Sequence, residues 1–270
     1  MNGIDFTKSD QYLLSIRLSA DGFSFSIFNP RSEGEFFFKP YAVDSAYSLT
    51  ANIKEMLASS EIFRHTYGQT YVLTDTPRFT LVPFELFEDD EMEELFYCNF
   101  GRTDNEIVLC NILGKSNVVV LFGMNKHAHQ LLNDFFPHSK YFATSSPLID
   151  YFHKKSRLNN KRLFIYLQKQ IMHVFGYDGK RLLLTNSFAC EQDADRIYYL
   201  LHLWKQSEFD VEVDELFLTG EVPEKEALRE GLQTYIRNVS VVHPSSEFTC
   251  SAITRRQDVP FDLQTLLACE

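Results

Sequence analysis

The residue types that most readily do chemistry are scattered along this chain rather than clustered. His127 and His129 stand two apart in a run of helical periodicity. On a helix that spacing sends the two rings in different directions. A metal-binding pair wants i, i+4, so these read as surface histidines. The five cysteines, at 98, 110, 190, 250 and 269, are odd in number and widely spread, with no C-x-x-C spacing. They fit reduced thiols in a cytosolic protein better than a disulfide framework or a structural zinc site. No Gly-x-Ser-x-Gly, P-loop or Gly-x-Gly-x-x-Gly string occurs, which removes the common nucleophile and phosphate-cradle signatures. Ser145-Ser146-Pro147 is more simply a helix start than a nucleophile site. Two charge runs remain. Glu85, Glu88, Asp89, Asp90, Glu91, Glu93 and Glu94 could bind a divalent cation or a basic partner, and more simply form a solvated helix face. Lys154, Lys155, Arg157, Lys161 and Arg162 fall within 154–162, a modest basic patch that reads as a solvated hinge.

The chain that carries these residues has 270 positions and a formal net charge of −11, with 44% hydrophobic and 23% charged side chains. That is ordinary globular composition, long enough for one large domain or two smaller ones. The acidic balance disfavours generic nucleic-acid binding. The longest apolar stretch, Val118 to Met124, is too short to span a bilayer. Met1 to Gln11 shows neither the basic nor the apolar region of a signal peptide. The expectation is a cytoplasmic protein with no membrane span and no nucleic-acid partner.

Periodicity lays out the elements. Leu14, Ile16 and Leu18 alternate with Ser15, Arg17 and Ser19, a half-buried strand. Asp21-Gly22 supplies a hairpin turn to a second strand with Phe23, Phe25 and Ile27 on one face. A third, aromatic strand covers 35–41. Ser45 is placed to cap a helix bearing Leu49, Ile53, Met56 and Leu57, and a fourth strand runs from Thr70 to Leu73. The same order returns about 149 residues later. Strands cover 162–167, 171–177 and 181–185, with a hairpin turn at Asp178-Gly179. A helix carries Ile197, Leu200, Leu201 and Trp204, and a strand over 215–218 ends at Thr219-Gly220.

Between the copies lies an insert whose strands 107–113 and 118–122 form a hairpin. A helix over 125–136 is expected to bury Leu131, Leu132 and Phe135, and a strand follows at 140–144. The reading is an α/β protein of mixed sheets with helices on both faces. The first half covers 1–84 and 146–160, an α+β subdomain 85–145, and the second half 161–270.

Duplication of a strand–strand–strand–helix–strand unit, with an insert after Val82-Pro83-Phe84-Glu85-Leu86, resembles the actin-like ATPase superfamily, a ribonuclease-H-like fold. The arrangement is similar to the pilus-assembly actin-like protein, its cell-division relative and the cytoplasmic part of the type II secretion L protein. It is most similar to a bacteroidete family of unknown function assigned this fold. The resemblance covers nearly the whole chain and rests on element order and short strings.

That resemblance implies a nucleotide cleft at Arg17, Ser19, Asp21, Gly22, Gln168 and Gly220. Active members end the first strand of each half in an Asp-x-Gly turn. The Asp organises magnesium and the Gly lets backbone amides reach phosphate. Here Arg17 and Tyr166 stand where Asp is wanted, Ser19 and Gln168 where Gly is wanted, and Thr219-Gly220-Glu221 keeps one glycine of the adenosine turn. A cation at Arg17 could still attract phosphate but could not hold magnesium. A register slip would bring Asp21 towards the cleft, whereas Asp-Gly ahead of alternating apolar residues is hairpin chemistry. The expectation is a non-catalytic actin-like scaffold or adaptor with an unknown protein partner, no metal and no resident cofactor. The alternative is a nucleotide-binding protein, ATPase or kinase with altered phosphate loops.

Overall fold

A computed structural model describes residues 4–19, 22–31, 35–156, 160–220, 225–243, 253, 256 and 258–268. The chain divides into two compact units. One comprises Met1–Ser146 with Ser251–Ile253, and the other Pro147–Cys250 with Thr254–Glu270.

The first unit is built on a five-stranded sheet with the order β3-β2-β1-β4-β8. Its strands are β1 (Leu13–Ser19), β2 (Gly22–Phe28), β3 (Phe36–Tyr41), β4 (Gln69–Thr74) and β8 (Lys140–Ala143). β1 pairs antiparallel with β2, Ser19 opposite Gly22, as expected of two strands joined by a short connection. Asp21 itself lies outside the described residues. β1 and β4 are parallel, as are β4 and β8. One face of this sheet presents Leu14, Ile16, Leu18, Phe25, Ile27 and Val72 to helices α1 (Leu49–Ala58) and α3 (Lys126–Phe135). The cap of α1 is Ser48, whose hydroxyl accepts from Ala51 N at 3.2 Å. Ser45 does not cap it, because the Asp44 side chain folds residues 44–47 into a turn by accepting from Ala46 N.

The insert is smaller than expected at its C-terminal side and longer at its N-terminal side. Its three-stranded sheet has the order β5-β7-β6, with β5 (Phe79–Pro83), β6 (Glu106–Leu113) and β7 (Val118–Asn125). β5 precedes the acidic run and pairs with β7. The strand at Lys140–Ala143, expected in the insert, instead pairs with β4 as the edge of the main sheet. α3 also packs on the main core, through Ala128, Leu132 and Phe136. Phe135, expected to be buried, is 50% exposed, because Phe136 takes the inward position at the helix end. Val82, Phe96, Val108, Val119 and Leu121 form a separate small core with helix α2 (Met92–Tyr97).

The second unit repeats the sheet, in the order β11-β10-β9-β12-β13. The strands are β9 (Lys161–Leu167), β10 (Ile171–Asp178), β11 (Arg181–Ala189), β12 (Glu215–Gly220) and β13 (Asn238–Val241). One face packs Leu163, Ile165, Leu167, Val174, Leu216 and Leu218 against α5 (Asp193–Gln206) and α6 (Lys225–Gln233). The other carries Phe164 and Tyr166. Phe152 of α4 (Ser145–Lys155) stacks on Phe164, and Phe261 of α7 (Phe261–Ala268) lies against Tyr166. Burial on both faces explains why β9 is apolar or aromatic at almost every position.

From Pro147 on, α4 belongs with this unit rather than with the first half. Tyr151 and Phe152 pack on Phe261, and the Tyr177 hydroxyl donates to Ile149 O at 2.8 Å. Nor is the stretch 154–162 a solvated hinge throughout. Lys161 and Arg162 begin β9, and Arg162 is buried, 2.6 Å from the Glu215 carboxylate. Arg157 lies outside the described residues.

The duplication is visible in the shared strand order, but the two Asp-Gly strings are not equivalent. In the sequence the Asp21-Gly22 string falls at the passage from β1 to β2, whereas Asp178-Gly179 falls at the passage from β10 to β11. The turn that matches the first is Lys169-Gln170, between β9 and β10.

Candidate functional site

In open α/β sheets ligands collect at the C-terminal ends of the parallel strands, where backbone groups and loop side chains are unpaired. In the first unit that edge carries Ser19 at the end of β1, Asp75 after β4 and Thr144 after β8. Asp75 N donates to Leu18 O at 2.8 Å, and Thr144 N donates to Thr74 O at 3.0 Å. The Ser19 hydroxyl donates to Asp75 Oδ2 at 3.3 Å. Arg17 is one residue inward from Leu18, only 5% exposed, opposite Ser24 of β2 and Leu73 of β4. Structure therefore brings Arg17, Ser19 and Gly22 together on β1 and the start of β2. Gly22 has φ +138, a value its hairpin position favours for glycine.

Asp75 is the residue that sequence reasoning passed over. The signal was available: a carboxylate directly after a strand that lies parallel to β1. Asn111 is the other. From β6 its amide donates to Tyr141 O at 2.7 Å and accepts from Ala143 N at 3.0 Å and from the Ser146 hydroxyl at 2.7 Å. It fastens the insert to β8 just ahead of the strand end. No sequence motif marks it, because its role depends on a non-local meeting of two strands.

In the second unit the same edge carries Gln168 after β9 and Gly220 at the end of β12, where Gly220 pairs with Leu167. These two are brought together. Gln168 N donates to Ile171 O at 2.9 Å, closing the β9–β10 hairpin. The hairpin is held by its carbonyls: Arg196, 3% exposed, donates to Lys169 O at 3.2 Å and forms an ion pair with Asp193 at 2.7 Å. Tyr166 is fully buried, and its ring stacks on His173. Lys225 donates to Gly220 O.

Chemically, the first unit offers a carboxylate, hydroxyls and a buried guanidinium. The second offers an amide and a glycine beside a buried phenol. Among the described residues neither strand-end set holds the paired carboxylates that organise magnesium beside phosphate. Among the described residues no group of three His, Cys, Asp or Glu side chains is placed to hold a metal ion. His129 is packed on Tyr141 and hydrogen-bonds Asn133, with its pKa lowered by burial. No helix among the described residues is long and apolar enough to cross a membrane.

A family described as protein of unknown function (DUF3822) matches residues 2–239. Among solved structures, a Bacteroides thetaiotaomicron protein with an actin-like ATPase fold and unknown function is similar over 99% of both chains, at 43% identity and a TM-score of 0.87. The PilM–PilN type IV pilus biogenesis complex is similar over 91% of this chain and 92% of that one, at 11% identity and a TM-score of 0.55, which speaks for the fold alone. No curated protein matches the chain.

Proposed function

The chain belongs to the DUF3822 family and carries the actin-like ATPase fold, and from that premise we propose that it is a non-catalytic scaffold or adaptor that works by binding another protein. One observation carries the reading. At the two positions where the superfamily's magnesium-organising aspartates are expected stand Arg17 and Tyr166, both buried within their sheets. Ser19 and Gln168 put side chains where phosphate would need bare backbone. Magnesium-phosphate chemistry needs carboxylates there, and a fold that has lost them still presents surfaces. A neighbour of the same fold is itself a complex with a partner, PilM with PilN. The compartment that goes with this role is the cytoplasm.

The second reading is nucleotide binding through altered loops. It is favoured by Asp75, a carboxylate at the strand ends of the first unit, beside Ser19. Capture of partners on the purified, immobilised chain from the cytosol of its source separates the two. The scaffold reading expects a protein retained in stoichiometric amount, equally with magnesium-ATP or with chelator. Retention that depends on magnesium-ATP would favour the second reading, and no retained protein would remove the first.

A further inference from the structure

The shared strand order lets corresponding edge strands of the two sheets be compared directly. β3 closes the first sheet and β11 closes the second. An edge strand offers a row of unpaired N–H and C=O groups, and proteins blunt it with shortness, Lys, Pro or a covering element. β3 has six residues and carries Lys39 and Pro40, both exposed. Pro40 removes a donor and Lys39 sets a charge on the rim. Three other edges among the described residues are blunted too. β13 and β8 have four residues each, and the Asn111 amide from β6 bonds the rim of β8. β5 ends in Pro83.

Among the described residues, β11 carries only a bulge near its start, where its register with β10 shifts and Leu183 has no partner, while Leu184–Ala189 pair regularly. It runs nine residues, Arg181–Ala189, with no Pro or Lys, and Leu182 to Ala189 carry no charge. Leu182, Leu183 and Leu184 are half-buried. Its one paired side goes to β10, and no described strand pairs the other. Close by on α5, Tyr199 stacks on Phe188 at 4.7 Å, and Tyr198 is exposed.

We propose that β11 is a self-association edge, pairing antiparallel with β11 of a second copy across a two-fold axis to join two sheets into one. The occupant follows from charge and pattern. The strand is bracketed by Arg181 at its start and Glu191 two residues past its end, both exposed. Antiparallel pairing centred on Asn186 brings Arg181 to the same end of the ladder as Glu191 of the partner subunit, within about one residue of it across the bulge at Leu183, and by symmetry does so twice. It also sets Leu184 opposite Phe188 of the partner subunit, and Thr185 opposite the partner's Ser187, pairs that stabilise a ladder. Parallel pairing would set like charges opposite each other at both ends. Arg181 is available for this, since its own contact is a loose one, 3.7 Å from the exposed Asp178. This surface is independent of the strand-end residues on which the proposed function rests.

The test is the mass of the intact chain in solution as a function of concentration, by light scattering or sedimentation. Four chains are compared: the natural one, Arg181→Glu, Glu191→Arg and the double swap. All changes are on exposed positions, so folding is preserved. The natural chain and the double swap dimerise, and each single reversal weakens the dimer about tenfold, because both symmetric contacts change sign together. A natural chain that stays monomeric at every concentration overturns the proposal. So does a dimer indifferent to the single reversals, or one that the double swap fails to restore.

Discussion

Gly220 and Leu167 lie against one another at the ends of neighbouring parallel strands, so close that a β-carbon on Gly220 would sit 2.0 Å from the Leu167 carbonyl oxygen. Gly220 has φ +106, outside the range a side chain tolerates without strain. The glycine that the superfamily resemblance assigns to an adenosine turn is thus already required by strand packing. Gly220→Ala is expected to destabilise the second unit by about 3 kcal/mol, from backbone strain plus displacement of β9. Urea unfolding measures this; a change under about 0.5 kcal/mol would mean the turn relaxes freely.

Asn111 ties the insert to the main sheet of the first unit through Tyr141 O, Ala143 N and the Ser146 hydroxyl. Asn111→Ala leaves a backbone donor and acceptor without this partner, a loss of about 1–3 kcal/mol. Hydrogen exchange at the Ala143 amide should accelerate in the variant. Unchanged exchange there would show that the side chain does not hold β8.

Arg162 is buried at the start of β9, 2.6 Å from Glu215, with its guanidinium also donating to Lys155 O at 2.5 Å. Arg162→Ala strands the carboxylate and the carbonyl together, and a loss of about 3 kcal/mol is expected. Glu215 keeps partial exposure, which places Glu215→Gln below that. Equal losses for the two variants would contradict this assignment.

Burial raises the pKa of the Tyr67, Tyr141 and Tyr177 hydroxyls above the usual phenol range, and Asp150 adds to it at Tyr177. Their hydroxyls donate to Ile62 O, Asn133 Oδ1 and Ile149 O. The folded chain keeps them neutral while unfolded phenols ionise near pH 10, so their contribution is complete below about pH 10 and is lost as pH rises beyond it. Phenolate absorbance of the native chain should lag that of the urea-unfolded chain on alkaline titration. Superimposable curves would contradict the burial.

Much of the fold was legible because alternation and helical spacing are local. Leu14, Ile16 and Leu18 marked β1, and the strand–strand–strand–helix–strand order recurred in plain view. The borders of the insert were not legible. Lys140–Ala143 reads equally well as a strand of either sheet, and only its pairing with β4 decides. The Asp-Gly strings misled for the same reason: each signals a hairpin without saying which one. At the strand ends, Arg17, Ser19, Gln168 and Gly220 were found through the resemblance. Asp75 stood directly after a strand already legible in the sequence, whereas Asn111 needed the meeting of two strands that are distant in sequence.

Thermal unfolding of the purified chain with and without saturating magnesium-ATP bears most directly on the loss of nucleotide chemistry. A ligand at 100 times its Kd stabilises the folded state by about 2.7 kcal/mol. For a chain of this size that corresponds to a shift in Tm of roughly 5 °C or more. With Arg17 and Tyr166 in the places of the magnesium-organising aspartates, the account predicts no shift beyond measurement error. A shift of that size, dependent on magnesium, would contradict it and return the strand ends around Ser19 and Asp75 to a nucleotide-binding role.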